Sequence, residues 1–419
     1  MPKFIIQGGK SLKGEVTISG SKNAALPILC AAMLTDQKVT LNNVPYIADI
    51  HSMIKILESF GAVIEFKDNT VKIDPSKLKK KTAPNEMVNK MRASILIIGA
   101  LMPRLGEIKM AFPGGCVLGK RSVDAHTIGF KKLGCEIIDD QKGLHIKCKK
   151  LVGSQIILPE LSVTATENAI MASVLAEGKT EIRLAAAEPH VQDLCLFLNT
   201  MGAKISGMGT NNIEIEGVKK LKGTTYDITG DYLEAGTFAI AAVATQGDVL
   251  IKGINPEHLD SFWQKLDEIG AKFELFKNSV HILPSKKLQA VKMLRTAVYP
   301  SFPTDLQAPF AVLLTQTKGV SKVFETLFEG RLNYLFELEK MGAHIEFLNP
   351  HQALVIGPTK LKGIPISSCD IRAGAAMVIA ALIANGQTDI SNVNYIDRGY
   401  ENLDLKLRSI GADIMRIKK

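Results

Sequence analysis

Aromatic residues are scarce in this chain: one tryptophan, seven tyrosines and sixteen phenylalanines make up 6% of 419 residues. No block of lysine and arginine carries interleaved aromatics, so no nucleic-acid partner is expected. The six cysteines, at 30, 116, 135, 148, 195 and 369, never form a CxxC pair. Their scatter excludes a usual zinc knuckle and offers no disulfide framework. Apolar runs such as ASILIIGALM (93–102) end too soon to span a bilayer. The opening MPKFIIQGGK has no cleavage-site pattern, so no membrane partner is expected and the location expected is cytoplasmic.

What is present is a hydrophobic fraction of 46% against 22% charged residues, the balance of a soluble globular protein. The length suggests two or three domains. A formal charge of +9 suits anionic partners, and with nucleic acid set aside the class expected is phosphorylated small molecules.

One unit recurs six times. A helix ends in Gly-Ala or Gly-Cys and a strand follows: LESFGAVIEF, FKKLGCEIID, LNTMGAKISG, LDEIGAKFEL, LEKMGAHIEF and LRSIGADIMR. The glycines fall at 61, 134, 202, 270, 342 and 411, so the spacings are 73, 68, 68, 72 and 69. Glycine is the natural left-handed stop after a helix, and alternating residues behind it read as a strand. Upstream of each lies a helix of small apolar residues, such as AALPILCAAM or AGAAMVIAAL, apolar nearly all round and so expected inside a bundle wrapped by sheet. The last copy is one strand short, and KFIIQGG at 3–9 has the size to supply it. The reading is an α/β chain of six βαβαββ repeats, three per domain. Residues 1–21 with 230–419 form one domain and residues 22–229 the other, with crossings near 20 and 230.

The inner helices begin at Lys22, Arg92, Thr164, Asp231, Asp305 and Asp370, and the loops before the outer helices carry Asp49, Arg121, Glu188, Glu257, Arg331 and Arg398. Threefold domains would gather such ends at a rim, and two facing rims would form a cleft. Helix N-termini favour anions, and arginine forks bind carboxylate or phosphate through paired donors. Lys22, Arg92, Arg121, Arg331, Arg372 and Arg398 therefore mark an anion site, against the plainer reading that each only neutralises a helix end. Within AFPGGCVLGKRSVDAH (111–126), Cys116 sits in a glycine turn followed by Lys120 and Arg121. Two readings remain open there: an ordinary surface thiol, or a thiol made reactive by nearby cations.

The segments SGSKNAALP, FPGGCVLGKRSVDAH, AEP at Glu188, FPTDLQA, ETLFEGR, DIRA and YIDRGY occur in this order across the whole chain. Through them the chain resembles the enolpyruvyl transferases, and within these the UDP-N-acetylglucosamine 1-carboxyvinyltransferase family. The sister 5-enolpyruvylshikimate-3-phosphate synthases share the repeat but lack a PGGC loop. Departures from the common pattern are Lys120 and Thr164, where small residues are frequent, and Asn394, where histidine is frequent.

The resemblance implies a two-domain inverse α/β barrel. It implies transfer of enolpyruvate from phosphoenolpyruvate to the 3′-hydroxyl of UDP-N-acetylglucosamine with release of phosphate, the step that opens peptidoglycan precursor synthesis. No cofactor and no metal are implied. Cys116 would be the acid on a mobile loop and the target of the epoxide fosfomycin. Asp305 would be the base, with Asn23 orienting it, and Lys22, Arg121 and Arg398 would hold the phosphate. Arg331 and Arg372 would hold the carboxylate. Arg92, Arg121, Ser122, Val123, Asp124, Ala125, Glu160, Leu161, Ser162, Val163 and Leu327 would contact the UDP-sugar, and Glu188 and Asp231 would stand behind the cations. A non-catalytic nucleotide-sugar sensor on the same fold is the rival reading, and the intact Cys116, Lys22 and Asp305 argue against it.

Overall fold

A computed structural model describes residues 2–79, 82–89, 91–114, 123–140 and 143–417. Cys116, Lys120, Arg121 and Ser122 lie outside the described residues. The chain divides into two compact units. Among the described residues, one joins 2–19 to 230–417 and the other comprises those between 20 and 229. Each has its own hydrophobic core.

Among the described residues six sheets carry the architecture, five of four strands and one of three. A common rule runs through them. The strand after an inner helix pairs in parallel with a short strand or bridge on one side, and antiparallel with a later strand of the same repeat on the other. At two places the short strand comes from elsewhere in the chain. Lys13–Thr17 lies parallel to Asp248–Lys252, and Thr225–Asp227 lies parallel to Val39–Asn42. Lys3–Gln7 pairs antiparallel with both Gln387–Ser391 and Asp413–Ile417, filling the place left by the last repeat.

The glycines at 61, 134, 202, 270, 342 and 411 all have positive φ, between 81° and 107°, where a Cβ would be strained. Each ends an outer helix and turns the chain into a strand. The inner helices Lys22–Ala31, Ile97–Leu105, Val163–Ser173, Tyr232–Ala244, Thr304–Leu314 and Ile371–Ile383 are buried along most of their length. Small residues let them approach closely. A Cβ on Gly99 would come within 2.6 Å of the Asn168 backbone oxygen.

One inner helix departs from its expected start. Arg92 opens a 3-10 turn, Arg92–Leu96, and the α-helix begins only at Ile97. The Asn168 amide explains the delay. Its Nδ2 donates to the Ile95 carbonyl at 3.0 Å and its Oδ1 accepts from Gly99 N–H at 2.8 Å. Those are the two groups that would otherwise bond across one helical turn, and a side chain inserted between them unwinds it. No helix among the described residues is long and apolar enough to cross a membrane.

Candidate active site

In the unit Gly20–Thr229 the polar side chains collect at the starts of the inner helices. Ser21 caps the first of them, its hydroxyl accepting from Ala24 N–H at 3.3 Å. Lys22 follows, and its ammonium lies 3.4 Å from the Asp49 carboxylate, with both side chains largely buried. An ammonium carries three N–H donors, and a nearby carboxylate offsets part of the cost of burying its charge. Asn23 is half-buried beside it. Glu160 is exposed, and Leu161, Ser162 and Val163 are half-buried on the approach to the helix Val163–Ser173. Val123 flanks the helix Asp124–Lys132, in which Asp124 is exposed and Ala125 buried.

Behind these positions runs a polar chain that sequence reasoning missed. Asn168 Nδ2 donates to His126 Nδ1 at 2.8 Å, and His126 Nε2 stands 3.3 Å from the Thr164 hydroxyl. Since Nδ1 accepts, Nε2 carries the proton and donates to Thr164 Oγ1. Burial, and then the Arg92 charge, pushes the imidazole down to about 3, so it is neutral. The ring thus ties the start of Asp124–Lys132 to that of Val163–Ser173. Glu167, also buried, has its carboxyl pushed well above the usual range by burial and by Glu188. The signal was present: ATENAIMAS places a charge and an amide inside an apolar helix.

The other unit brings three of the expected residues into direct contact. Asp305 lies in the first turn of Thr304–Leu314. Its Oδ1 accepts from Arg331 Nη2 at 2.5 Å and its Oδ2 from Arg372 Nε at 3.0 Å. Arg331 comes from the short turn Glu329–Leu332, and its Nη2 also donates to the Thr304 carbonyl at 3.2 Å. Arg372 enters with the helix Ile371–Ile383, whose cap Asp370 accepts from Arg372 N–H and Ala373 N–H at 2.7 and 2.8 Å. Both arginine side chains are 4% exposed, whereas Asp305 is 29% exposed.

Burial opposes both guanidinium charges, and their surroundings outweigh it. Asp305, Asp370 and Glu325 raise Arg331; Tyr400, Asp305 and Asp231 raise Arg372. Arg372 also lies over the Tyr400 ring, 5.2 Å from its centroid, and the Tyr400 hydroxyl is 2.9 Å from that of Thr237. Buried Glu325 braces the neighbouring loop by accepting from Thr304 Oγ1 at 2.8 Å and Leu327 N–H at 2.9 Å. Leu327 itself is exposed, and Arg398, at the end of the turn Val393–Arg398, is half-buried. Two donors are left over: Arg331 Nε and Arg372 Nη1 are buried and have no acceptor among the described residues. Buried charged donors without acceptors are costly, so their presence marks a place for an anion. Among the described residues no group of three His, Cys, Asp or Glu side chains could hold a metal ion.

Comparison with known proteins gives a consistent set of relatives. The family model of EPSP synthase (3-phosphoshikimate 1-carboxyvinyltransferase) matches residues 6–407. The UDP-N-acetylglucosamine 1-carboxyvinyltransferase of Halothermothrix orenii is 44% identical over 418 residues, covering 100% of both chains. That of Methylacidiphilum infernorum is 45% identical over 427 residues, covering 100% of this chain and 99% of the relative. Among solved structures, the enolpyruvyl transferase NikO from Streptomyces tendae superposes with a TM-score of 0.90 at 23% identity, covering 100% of this chain and 99% of that one. An EPSP synthase from Acinetobacter baumannii gives 0.78 at 19% identity, covering 100% of both. At such identities the structural likeness concerns the fold alone.

Proposed function

We propose, from the premise that this chain belongs to the enolpyruvyl transferase family, that it transfers enolpyruvate from phosphoenolpyruvate to the 3′-hydroxyl of UDP-N-acetylglucosamine and releases phosphate. The observation that carries the reading is the pair of buried arginines converging on Asp305 with two donors to spare. A planar carboxylate fits such forks. The relatives named for the UDP-sugar reaction, at 42–45% identity over the full chain, support the choice of acceptor.

Arg331 and Arg372 take the carboxylate of the enol substrate, and Lys22, Arg121 and Arg398 its phosphate. Holding both ends orients the enol and stabilises charge as it moves toward phosphate. Cys116 gives a proton to the methylene carbon, so the adjacent carbon becomes electrophilic. The sugar hydroxyl adds there while Asp305, oriented with help from Asn23, accepts its proton. Loss of a methyl proton and of phosphate from the tetrahedral adduct restores the double bond. Arg92, residues 121–125, residues 160–163 and Leu327 hold the UDP-sugar. The domains are two inverse α/β barrels of three repeats each, residues 1–21 with 230–419 and residues 22–229. The partners are these two small molecules, with no nucleic acid and no membrane, and the place of action is cytoplasmic.

A phosphate-release assay tests the reading. Phosphate should appear with phosphoenolpyruvate and UDP-N-acetylglucosamine together, and not when shikimate 3-phosphate replaces the sugar. Release with shikimate 3-phosphate would assign the chain to the sister reaction, and none with either acceptor would favour a sensor. Asp305→Asn should lower turnover by ~10²–10⁴-fold, the usual worth of a general base.

A further inference from the structure

We propose that Asp305 is the resident carboxylate of the Arg331–Arg372 site, and that the carboxylate of the arriving enol substrate displaces it. The same event that fills the site then releases the base. The inference rests on the assignment of those arginines to the substrate carboxylate.

Three observations lead there. Asp305 bridges the two guanidiniums with one prong of each, Arg331 Nη2 on one oxygen and Arg372 Nε on the other. A carboxylate matched to an arginine takes two parallel bonds from one fork. The bridge therefore uses both forks poorly, and it leaves Arg331 Nε and Arg372 Nη1 buried without acceptors among the described residues. A second carboxylate seated along the Nε–Nη2 edge of Arg331 would satisfy the vacant Nε, but it needs the Nη2 that Asp305 holds. The two acids compete for one donor.

The other acids nearby are committed elsewhere. Asp370 accepts from two backbone N–H groups at the start of its helix, and Glu325 from Thr304 and Leu327. Asp305 is also the most exposed member of the trio, 29% against 4% for each arginine, so it is the one an arriving ligand meets. A carboxylate that accepts two charge-assisted hydrogen bonds is a poor proton acceptor, and losing them makes it a better one. Substrate arrival thus supplies a base only when there is an enol to be attacked, and the exchange moves no covalent bond or electron pair.

The test uses the full chain without the sugar acceptor. Phosphoenolpyruvate binding is measured by calorimetry for the wild type and for Asp305→Asn, with inorganic phosphate as the ligand that lacks a carboxylate. Removing the competing charge should tighten phosphoenolpyruvate binding roughly tenfold, about the worth of one charge-assisted hydrogen bond, and leave phosphate unchanged. Equal or weaker phosphoenolpyruvate binding by the variant overturns the proposal. If the wild type turns over but the variant binds no more tightly, the exchange fails while the assigned reaction stands. If neither binds phosphoenolpyruvate, the assignment of the arginines fails first. Should the variant not fold, ¹⁵N-arginine spectra of the wild type decide. The Arg372 Nε–H signal should shift when phosphoenolpyruvate is added, and an unmoved signal refutes the exchange.

Discussion

His126 is a buried base whose ring nitrogens face an amide and a hydroxyl, and its neutrality has a measurable consequence. The folded imidazole is pushed down to about 3, below the ordinary value of 6.5. Between those two values the unfolded chain binds a proton that the folded chain refuses. Stability is therefore full above pH 6.5 and lost as pH falls toward 3. Linkage puts the loss at about 2–3 kcal/mol between pH 7 and pH 4.5. Urea unfolding across that range should show a shallower acid decline in His126→Gln than in the wild type, and parallel curves would remove His126 from the account. At Cys116 the expectation is chemical. Fosfomycin should inactivate the protein by alkylating one peptide, that containing PGGCVLGK. Of the other thiols, Cys30, Cys135, Cys148 and Cys195 are buried and Cys369 is exposed, so peptide mapping must separate Cys116 from Cys369. Cys116→Asp should keep measurable transfer and resist the epoxide, because it retains a proton donor and loses the soft nucleophile. Labelling at Cys369 instead would remove Cys116 from the role of reactive thiol.

Among the elements, the glycine that ends each outer helix was legible because its requirement is local: a left-handed residue is needed wherever it stands. The start of the helix after Arg92 was not legible, since the amide that unwinds it lies at Asn168, about 70 residues along the chain. The same division runs through the site. Spacing from the glycines singled out Arg331 and Asp305, with Arg372 two residues after the spaced Asp370, yet it could not say that the carboxylate touches both guanidiniums, nor that a histidine and an asparagine stand behind Thr164. Those facts depend on which helices meet. The Gly99 contact offers a test at this scale. In Gly99→Ala the added methyl meets the Asn168 backbone, which cannot swing aside. Overpacking of this kind costs about 1–3 kcal/mol. It should also disturb the Asn168–His126–Thr164 chain, so the affinity for the UDP-sugar should fall with the melting temperature. A variant as stable as the wild type would mean that the two helices can part without loss.

For the molecule as a whole, the unequal make-up of the two units matters. Gly20–Thr229 contains its own core and every strand of its three sheets. Expressed alone, residues 20–229 should unfold cooperatively in denaturant. Residues 230–419 alone would lack Lys3–Gln7 from the middle of one sheet and Lys13–Thr17 from the edge of another. That fragment should aggregate or remain partly unfolded, and adding a peptide of residues 2–19 should rescue it. A well-folded 230–419 fragment would show that these strands contribute little.

The central position of Lys3–Gln7 also sets an order of events on the ribosome. Its neighbours Gln387–Ile390 are synthesised about 380 residues later. At ~5–20 residues per second, the first strand emerges and then waits roughly 20–75 s for the groups it must bond. Throughout that interval KFIIQ is a nascent strand with both edges open, while residues 20–229 can close around themselves. Translation speed and holding chaperones therefore bear on this protein's yield through its first residues, and a fusion partner that occupies that strand should delay maturation of the unit completed last.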